Sequence, residues 1–215
     1  GFAAGAVSLY LDGSASPIAA TSTTGTTGTW EYTWATLAQG EHYLTVRATD
    51  RNGAVIDLGP TYFLVDNANP ILTLDSPTAG AKIKAGTLVI SGSASDAGGF
   101  GSSPLSITLR HSNSGSSLDG HVYTPALVSG DFSQSIPIND LVLDGTLYLD
   151  FTLTDRSGKQ SSLTRAVTID TTAPSLALNS PSNGAYINGL VPVSGTADDL
   201  NGLKDVTLQI LDPNT

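Results

Sequence analysis

Cysteine and methionine are both absent from the 215-residue sequence. Disulfides, thiolate chemistry and cysteine-based metal sites are therefore excluded, and stability has to come from packing and from any bound ions. Basic residues are scarce: nine Lys and Arg face 19 Asp and Glu, for a formal net charge of −10. That deficit excludes the basic stripe that nucleic acid or an anionic membrane surface would select. Glutamate is nearly missing as well, with Glu31 and Glu41 the only two and the other 17 acids all Asp. A solvated charged face draws on both acids, whereas Asp is the residue of turns and of compact, oxygen-rich cation sites. No apolar run approaches the ~20 residues that span a bilayer. The chain opens on Gly1 without a signal-peptide pattern, and reads as an interior piece of a longer exported protein.

What is present is a repeat. Val65-Asp66-Asn67-Ala68-Asn69-Pro70 returns as Ile169-Asp170-Thr171-Thr172-Ala173-Pro174, and Pro70 and Pro174 lie 104 residues apart. Pro77 and Pro181 keep the same spacing, as do Gly80 and Gly184. Thr49-Asp50-Arg51-Asn52-Gly53 recurs as Thr154-Asp155-Arg156-Ser157-Gly158 after 105 residues. One period is one domain length. The expected division is a partial unit at 1–66, a complete unit at 67–170 and the first three strands of a further unit at 171–215.

Thr, Ser, Gly and Ala dominate, no long stretch follows a 3.6-residue apolar period, and short alternating runs take its place. In the complete unit they predict strands at Ile71 to Leu74, Thr87 to Ala94, Leu105 to His111, His121 to Leu127, Phe132 to Ile138, Thr146 to Thr154 and Ser162 to Ile169. Seven strands with turns between them describe a β-sandwich. Leu147, Leu149, Phe151 and Leu153 should face its core while Tyr148, Asp150 and Thr152 face outward. In the first unit His42, Leu44, Val46 and Ala48 take the inward places, and Tyr43 matches Tyr148. A tyrosine there suits either a corner hydrogen bond or packing at a strand edge. Alignment on the complete unit sets Val7 to Leu11 against its third strand, and Val206 to Leu211 is the third strand of the last unit.

Asp-x-x-x-Pro at a domain entrance, Ser-Gly-Ser-Ala-Ser-Asp (91–96) or Ser-Gly-Thr-Ala-Asp-Asp (194–199) in the second strand, and Ala-Thr-Asp-Arg-Asn-Gly (48–53) before the last strand together resemble the tandem bacterial immunoglobulin-like repeats of giant surface adhesins and biofilm proteins. The resemblance covers essentially the whole chain. It implies an all-β fold of tandem immunoglobulin-like β-sandwich repeats of about 104 residues, an extracellular or cell-surface stalk, and calcium often bound at the junctions. The complete unit departs from the pattern in its longer Gly/Ser-rich insertions, Asp96 to Ser103 and Ser112 to Gly120. Its entrance also reads Asp-Asn-Ala-Asn-Pro rather than Asp-Thr-Thr-Ala-Pro.

In such a sandwich the aspartates fall at one pole. At the first junction Asp66, Asn67 and Asn69 approach Asp96 and Asp155; at the second, Asp170 approaches Asp198 and Asp199; Asp50 serves the preceding junction. Two or three carboxylates with backbone carbonyls suit Ca²⁺, which takes 6–8 oxygens at about 2.3–2.6 Å. The plainer account is turn chemistry, because Asp50 and Asp155 open tight hairpins in which an aspartate bonds its own backbone two residues on, and Asp66 and Asp170 precede a proline.

Catalytic signals are missing: His42, His111 and His121 sit in strand patterns with no visible acid or nucleophile partner, and no Gly-x-Ser-x-Gly elbow occurs. Trp30, Tyr32 and Trp34 alternate on a predicted strand, Gly28 to Thr36. Buried, they are core of the first unit, which the polar Glu31 and Thr33 between them fit; exposed, they form a sugar-stacking or protein-docking strip. The sequence thus predicts a non-enzymatic structural repeat whose partners are neighbouring repeats or neighbouring copies in a fibre. The alternatives are a carbohydrate-binding or accessory module of a secreted enzyme and a self-complementing head-to-tail fibre subunit.

Overall fold

Alternation of apolar and polar residues with frequent Gly and Pro leaves the backbone two ways to satisfy its N–H and C=O groups, turns and sheet ladders. The computed structural model describes residues 6–18, 30–84, 86–112, 116, 118–138 and 144–211, and every regular element among them is a β-strand. The strands are β1 (Val7–Leu11), β2 (Gly40–Thr49), β3 (Val55–Val65), β4 (Ile71–Ser76), β5 (Lys82–Ile83), β6 (Gly86–Ser95), β7 (Leu105–His111), β8 (Val122–Tyr123), β9 (Asp131–Ile138), β10 (Gly145–Thr154), β11 (Gln160–Ile169), β12 (Ser175–Ser180) and β13 (Ser194–Asp198). The fold is all-β and is built from immunoglobulin-like sandwich elements.

The middle of the chain forms two sheets, β4-β6-β9 and β5-β11-β10-β7-β8. In this immunoglobulin-like arrangement most consecutive strands lie in different sheets, while β7–β8 and β10–β11 pair as sequence neighbours within one. The chain crosses between sheets within its first strand region: β4 pairs in one sheet, and β5, a few residues on, runs parallel to β11 in the other, with Lys82 opposite Thr168 and Ile83 opposite Ile169. The core is the period-2 apolar set. Leu88 and Ile90 of β6, Ile136 and Ile138 of β9, Ile107 and Leu109 of β7, and Leu147, Leu149, Phe151 and Leu153 of β10 are all buried.

Ser-Gly-Ser-Ala owes its glycine to close packing of backbones, not to a turn. A Cβ on Gly92 would lie 2.1 Å from the Thr73 carbonyl oxygen and 2.9 Å from the Phe132 ring. The repeat-equivalent Gly195 meets the Ala177 carbonyl in the same way, at 2.2 Å. Neither neighbour can yield, since one is backbone and the other a buried ring. Gly92→Ala is expected to destabilise the sandwich by about 1–3 kcal/mol, the usual cost of overpacking, read as a lower urea midpoint at unchanged slope.

The first part of the chain forms the sheet β1-β2-β3, antiparallel throughout, with Leu9 opposite Val46 and His42 opposite Phe63. His42 is buried, and Leu44, Val46 and Ala48 are half-buried behind it. On the other face Arg47 lies over the Tyr10 ring at 5.1 Å and grips Asp57 with two hydrogen bonds of 2.7 and 2.8 Å. The middle sheet repeats the device, with Arg110 4.3 Å over Tyr148 and bonded to Asp150. Tyr148 and its counterpart Tyr43, which tilts against Tyr62, thus serve as outward packing residues. The last part pairs β12 with β13. There Leu176 and Leu178 stand exposed.

Contacts gather the chain into two compact units: Gly1–Leu72 with Ala94–Leu105 and Thr152–Ser161, and Thr73–Ser93 with Ser106–Phe151 and Ser162–Thr215. Three predicted strands differ from this structure. Residues 30–36 of the run Gly28 to Thr36 are irregular, and its first two residues lie outside the described set. The run His121 to Leu127 pairs only as β8, because Pro125 has no N–H to extend the ladder. Val206 to Leu211 forms no strand and is exposed.

Candidate metal centre

Three chain segments deliver one aspartate each: the exit of β3 (Asp66), the loop after β6 (Asp96) and the β10–β11 hairpin (Asp155). The hairpin fixes the last of these. Asp155 N donates to the Lys159 carbonyl, and Gly158, at φ +93°, supplies the left-handed residue that closes the turn. Asp50 opens an identical turn closed by Gly53 at φ +85°.

Each of the three carboxylates spends one oxygen on its own turn. Asp66 Oδ1 accepts from Gln39 Nε2 at 3.1 Å and from Ala68 N at 3.2 Å. Asp96 Oδ2 accepts from Gly98 N at 2.7 Å. Asp155 Oδ1 accepts from the Ser157 hydroxyl at 2.8 Å and from Lys159 N at 2.9 Å. The other oxygens, Asp66 Oδ2, Asp96 Oδ1 and Asp155 Oδ2, are buried with no hydrogen-bond partner. One ligand atom from each carboxylate lies within 4.8 Å of those from the other two. Asp155 is only 5% exposed. Burial pushes its carboxyl up, but hydrogen bonds from Ser157, Lys159 and Gly158 outweigh that and hold it below the ordinary value of 3.8, so it is ionised at neutral pH.

Turn chemistry accounts for the first set of oxygens and leaves the second unexplained. Buried carboxylate oxygens without partners, packed against like charge, are costly unless a cation joins them. Two further features leave room for one. A Cβ on Gly98 would fall 2.3 Å from Asp66 Oδ2, so the approach depends on a bare Cα. A cleft of about 150 Å³ lies beside it, lined by Leu64, Asp66, Gly98, Arg156 and Ser157. The donors are all oxygen and mostly anionic, the set preferred by hard cations such as Ca²⁺ over softer metals. The three carboxylates would hold the ion, and it would supply the positive charge that the cluster lacks.

The other candidate ligands are placed differently. Asn67 turns its side-chain amide to the Leu37 carbonyl at 3.0 Å, and Asn69 is exposed. Asp50 accepts from Asn52 N and Ala54 N and is a turn residue. Asp170 carries a buried Oδ1 with no partner. Asp199 accepts from Asn201 N at 2.8 Å, the counterpart of the Asp96–Gly98 turn, while Asp198 ends β13 in an exposed position. Among the described residues, the cluster of three metal-competent side chains is Asp66, Asp96 and Asp155. Asn201 also puts a side chain where the first site has Gly98. Asp144 binds the backbone and hydroxyl of Thr171 and the hydroxyl of Thr172 from the position corresponding to Gln39. Two further residues shape the site, Gly98 and Gln39; the Asp-x-Gly turn at 96–98 is a signal for the first, and the sequence around Gln39 carries none for the second.

His42, expected to have no acid partner, lies 2.8 Å from Asp12 Oδ2. The aromatic run is divided rather than wholly buried or wholly exposed. Trp30 is exposed, and Tyr32 and Trp34 are half-buried, meeting edge to face at 5.1 Å, with Trp34 6.4 Å from Phe63. Among the described residues no helix is long and apolar enough to cross a membrane.

No family model matches the chain, and no curated protein matches it. Among solved structures it is similar to a tetra-tandem repeat in the extending region of a large adhesion protein, at 21% identity over 83% of this chain and 45% of that one, with a TM-score of 0.40. It is also similar to fibronectin(III)-like modules of Clostridium thermocellum CbhA, at 16% identity over 77% of this chain and 76% of that one, TM-score 0.39. An engineered protein matches at 14% identity over 47% of this chain, TM-score 0.37, and the chain spans only 20% of its length.

Proposed function

We propose that this chain is a non-enzymatic structural segment of an extracellular stalk, organised as a partial immunoglobulin-like repeat at 1–66, a complete one at 67–170 and the region of the first three strands of a further one at 171–215, with Ca²⁺ held by Asp66, Asp96 and Asp155. The observation that carries the reading is the set of three buried, unpartnered carboxylate oxygens on three separate segments. Asp66 lies on the short stretch between β3 and β4, whereas Asp96 and Asp155 lie on loops of the sandwich that follows. An ion shared among them fastens that stretch to those loops, so the function of the site is mechanical: it sets stiffness where one repeat passes into the next. Neighbouring repeats are then the natural partners.

The test is small-angle scattering of a chain spanning whole repeats, recorded with Ca²⁺ and then with excess chelator. Chelation is expected to increase flexibility while the far-UV dichroism of the folded repeats persists. Identical scattering in both conditions would return the three aspartates to turn chemistry.

A further inference from the structure

We propose that His42 is a proton-operated latch on the segment Leu37–Gln39, which grips the exit of β3. The position is one where the fold asks for an apolar residue. Its counterpart one repeat on is Leu147, fully buried in the sandwich core, while His42 is 7% exposed. An imidazole there has to find partners for two ring nitrogens, and both of the partners it finds are acceptors. Nδ1 lies 2.8 Å from Asp12 Oδ2, and Nε2 lies 2.9 Å from the Ala38 carbonyl oxygen. Neutral histidine carries one N–H and can satisfy only one of them; the imidazolium donates to both.

The surroundings are arranged for that form. Asp12, from the turn after β1, is held at φ +53° by a pair of bonds with Tyr43: its Oδ1 accepts from Tyr43 N at 2.9 Å and its own N donates to the Tyr43 carbonyl. It is the charged group facing the ring. From β3 the ring meets Phe63, stacked at 5.6 Å, and from the segment before β2 it meets the Ala38 carbonyl. Glu41, next on β2, instead accepts from the Tyr62 hydroxyl. The Ala38 carbonyl and then the Asp12 carboxylate raise the His42 pKa above 6.5 against the opposing effect of burial.

The segment that His42 holds does its own holding. The Leu37 carbonyl accepts from Asn67 Nδ2 at 3.0 Å. The Gln39 amide group donates to Asp66 Oδ1 and accepts from Asn67 N. Three consecutive residues are thus pinned, the middle one by His42 and the outer two to the junction residues Asp66 and Asn67. Loss of the proton removes one of the two bonds to the ring and slackens the segment. The folded-state pKa is raised, so the stabilisation is complete below about pH 6.5, the unfolded value, and is lost as pH rises through the folded value. The bonds of the ring itself, to Asp12 and to the Ala38 carbonyl, involve none of Asp66, Asp96 and Asp155.

Nuclear magnetic resonance of the full chain in excess chelator tests it. The His42 ring titration is expected above pH 6.5, and the amide protection of Asn67, corrected for intrinsic base catalysis, should fall through the same interval. The fall is about tenfold for each pH unit separating the folded and unfolded midpoints. In Asp12→Asn the ring titration and the loss of protection should move to lower pH together, which a purely structural role for Asp12 does not predict. If that variant fails to fold, His42→Gln takes its place, and its Asn67 protection should be flat with pH. A His42 midpoint at or below 6.5, or Asn67 protection that ignores the ring titration, overturns the proposal.

Discussion

Phe151→Ala is expected to lower the stability of the middle sandwich by about 3–5 kcal/mol, the range for emptying a fully buried aromatic site. The residue is 1% exposed and lies on β10, an interior strand flanked by β11 and β7. Its same-face neighbours along the strand, Leu149 and Leu153, are completely buried, so collapse into the hole from β10 is limited. A domain of this size has about 5–15 kcal/mol in total, so the loss is a large fraction of it. Hydrogen exchange at the β10 amides is the suitable measurement, because it reads the opening of this sandwich without interference from the rest of the chain. Tyr148→Ala, one residue away on the outward face, should change that opening far less. Equal effects from the two substitutions would mean that the alternation along β10 does not define the core.

That alternation is also why the middle sandwich was legible in the sequence. Where a predicted strand had flanking strands within the same repeat, as at β6, β7, β9, β10 and β11, the ladder formed and the apolar set went inward. The runs at 30–36 and 206–211 alternate almost as well yet stay irregular. A strand is a paired object, and its period only says which face it would bury once a partner lies alongside. β5 is too short to show a period in the sequence, although its two residues carry the chain from one sheet to the other.

The candidate site divides in the same way. Asp66, Asp96 and Asp155 were visible because each sits in a turn motif whose place in a sandwich is fixed by topology, and topology brings the three turns together. Asn67 and Asn69 follow Asp66 in the chain, but sequence does not give the direction of their side chains, and the Asn67 Nδ2 donates to the Leu37 carbonyl. Gln39 lies 27 residues before Asp66 in an undistinguished sequence, and only the fold shows that its amide occupies Asp66 Oδ1. The partner of His42 was hidden for the same reason, since Asp12 is 30 residues away on a different strand end.

Calcium is expected to stabilise the metal-free chain, by about 2.7 kcal/mol when the free ion is at a hundred times its dissociation constant. On the proposed reading the site would have the 10⁻⁴–10⁻³ M affinity of extracellular modules, and millimolar calcium is the concentration at which to look for a rise in the thermal midpoint. The gain has a definite source: a bound ion removes both the repulsion among the carboxylates and the unpaired state of Asp66 Oδ2, Asp96 Oδ1 and Asp155 Oδ2. Two variants separate this from general screening of a chain with net charge −10. Asp155→Asn keeps a side-chain oxygen for the turn bonds to Ser157 and Lys159 but removes the charge, and should abolish most of the calcium-dependent rise. Gly98→Ala removes no carboxylate and no charge but adds a methyl group 2.3 Å from Asp66 Oδ2, so it too should abolish the rise by displacing Asp66. Screening by a divalent ion is blind to one methyl group. A calcium response that survives Gly98→Ala undiminished therefore belongs to the acidic surface as a whole, whereas its loss in both variants assigns the response to these three aspartates.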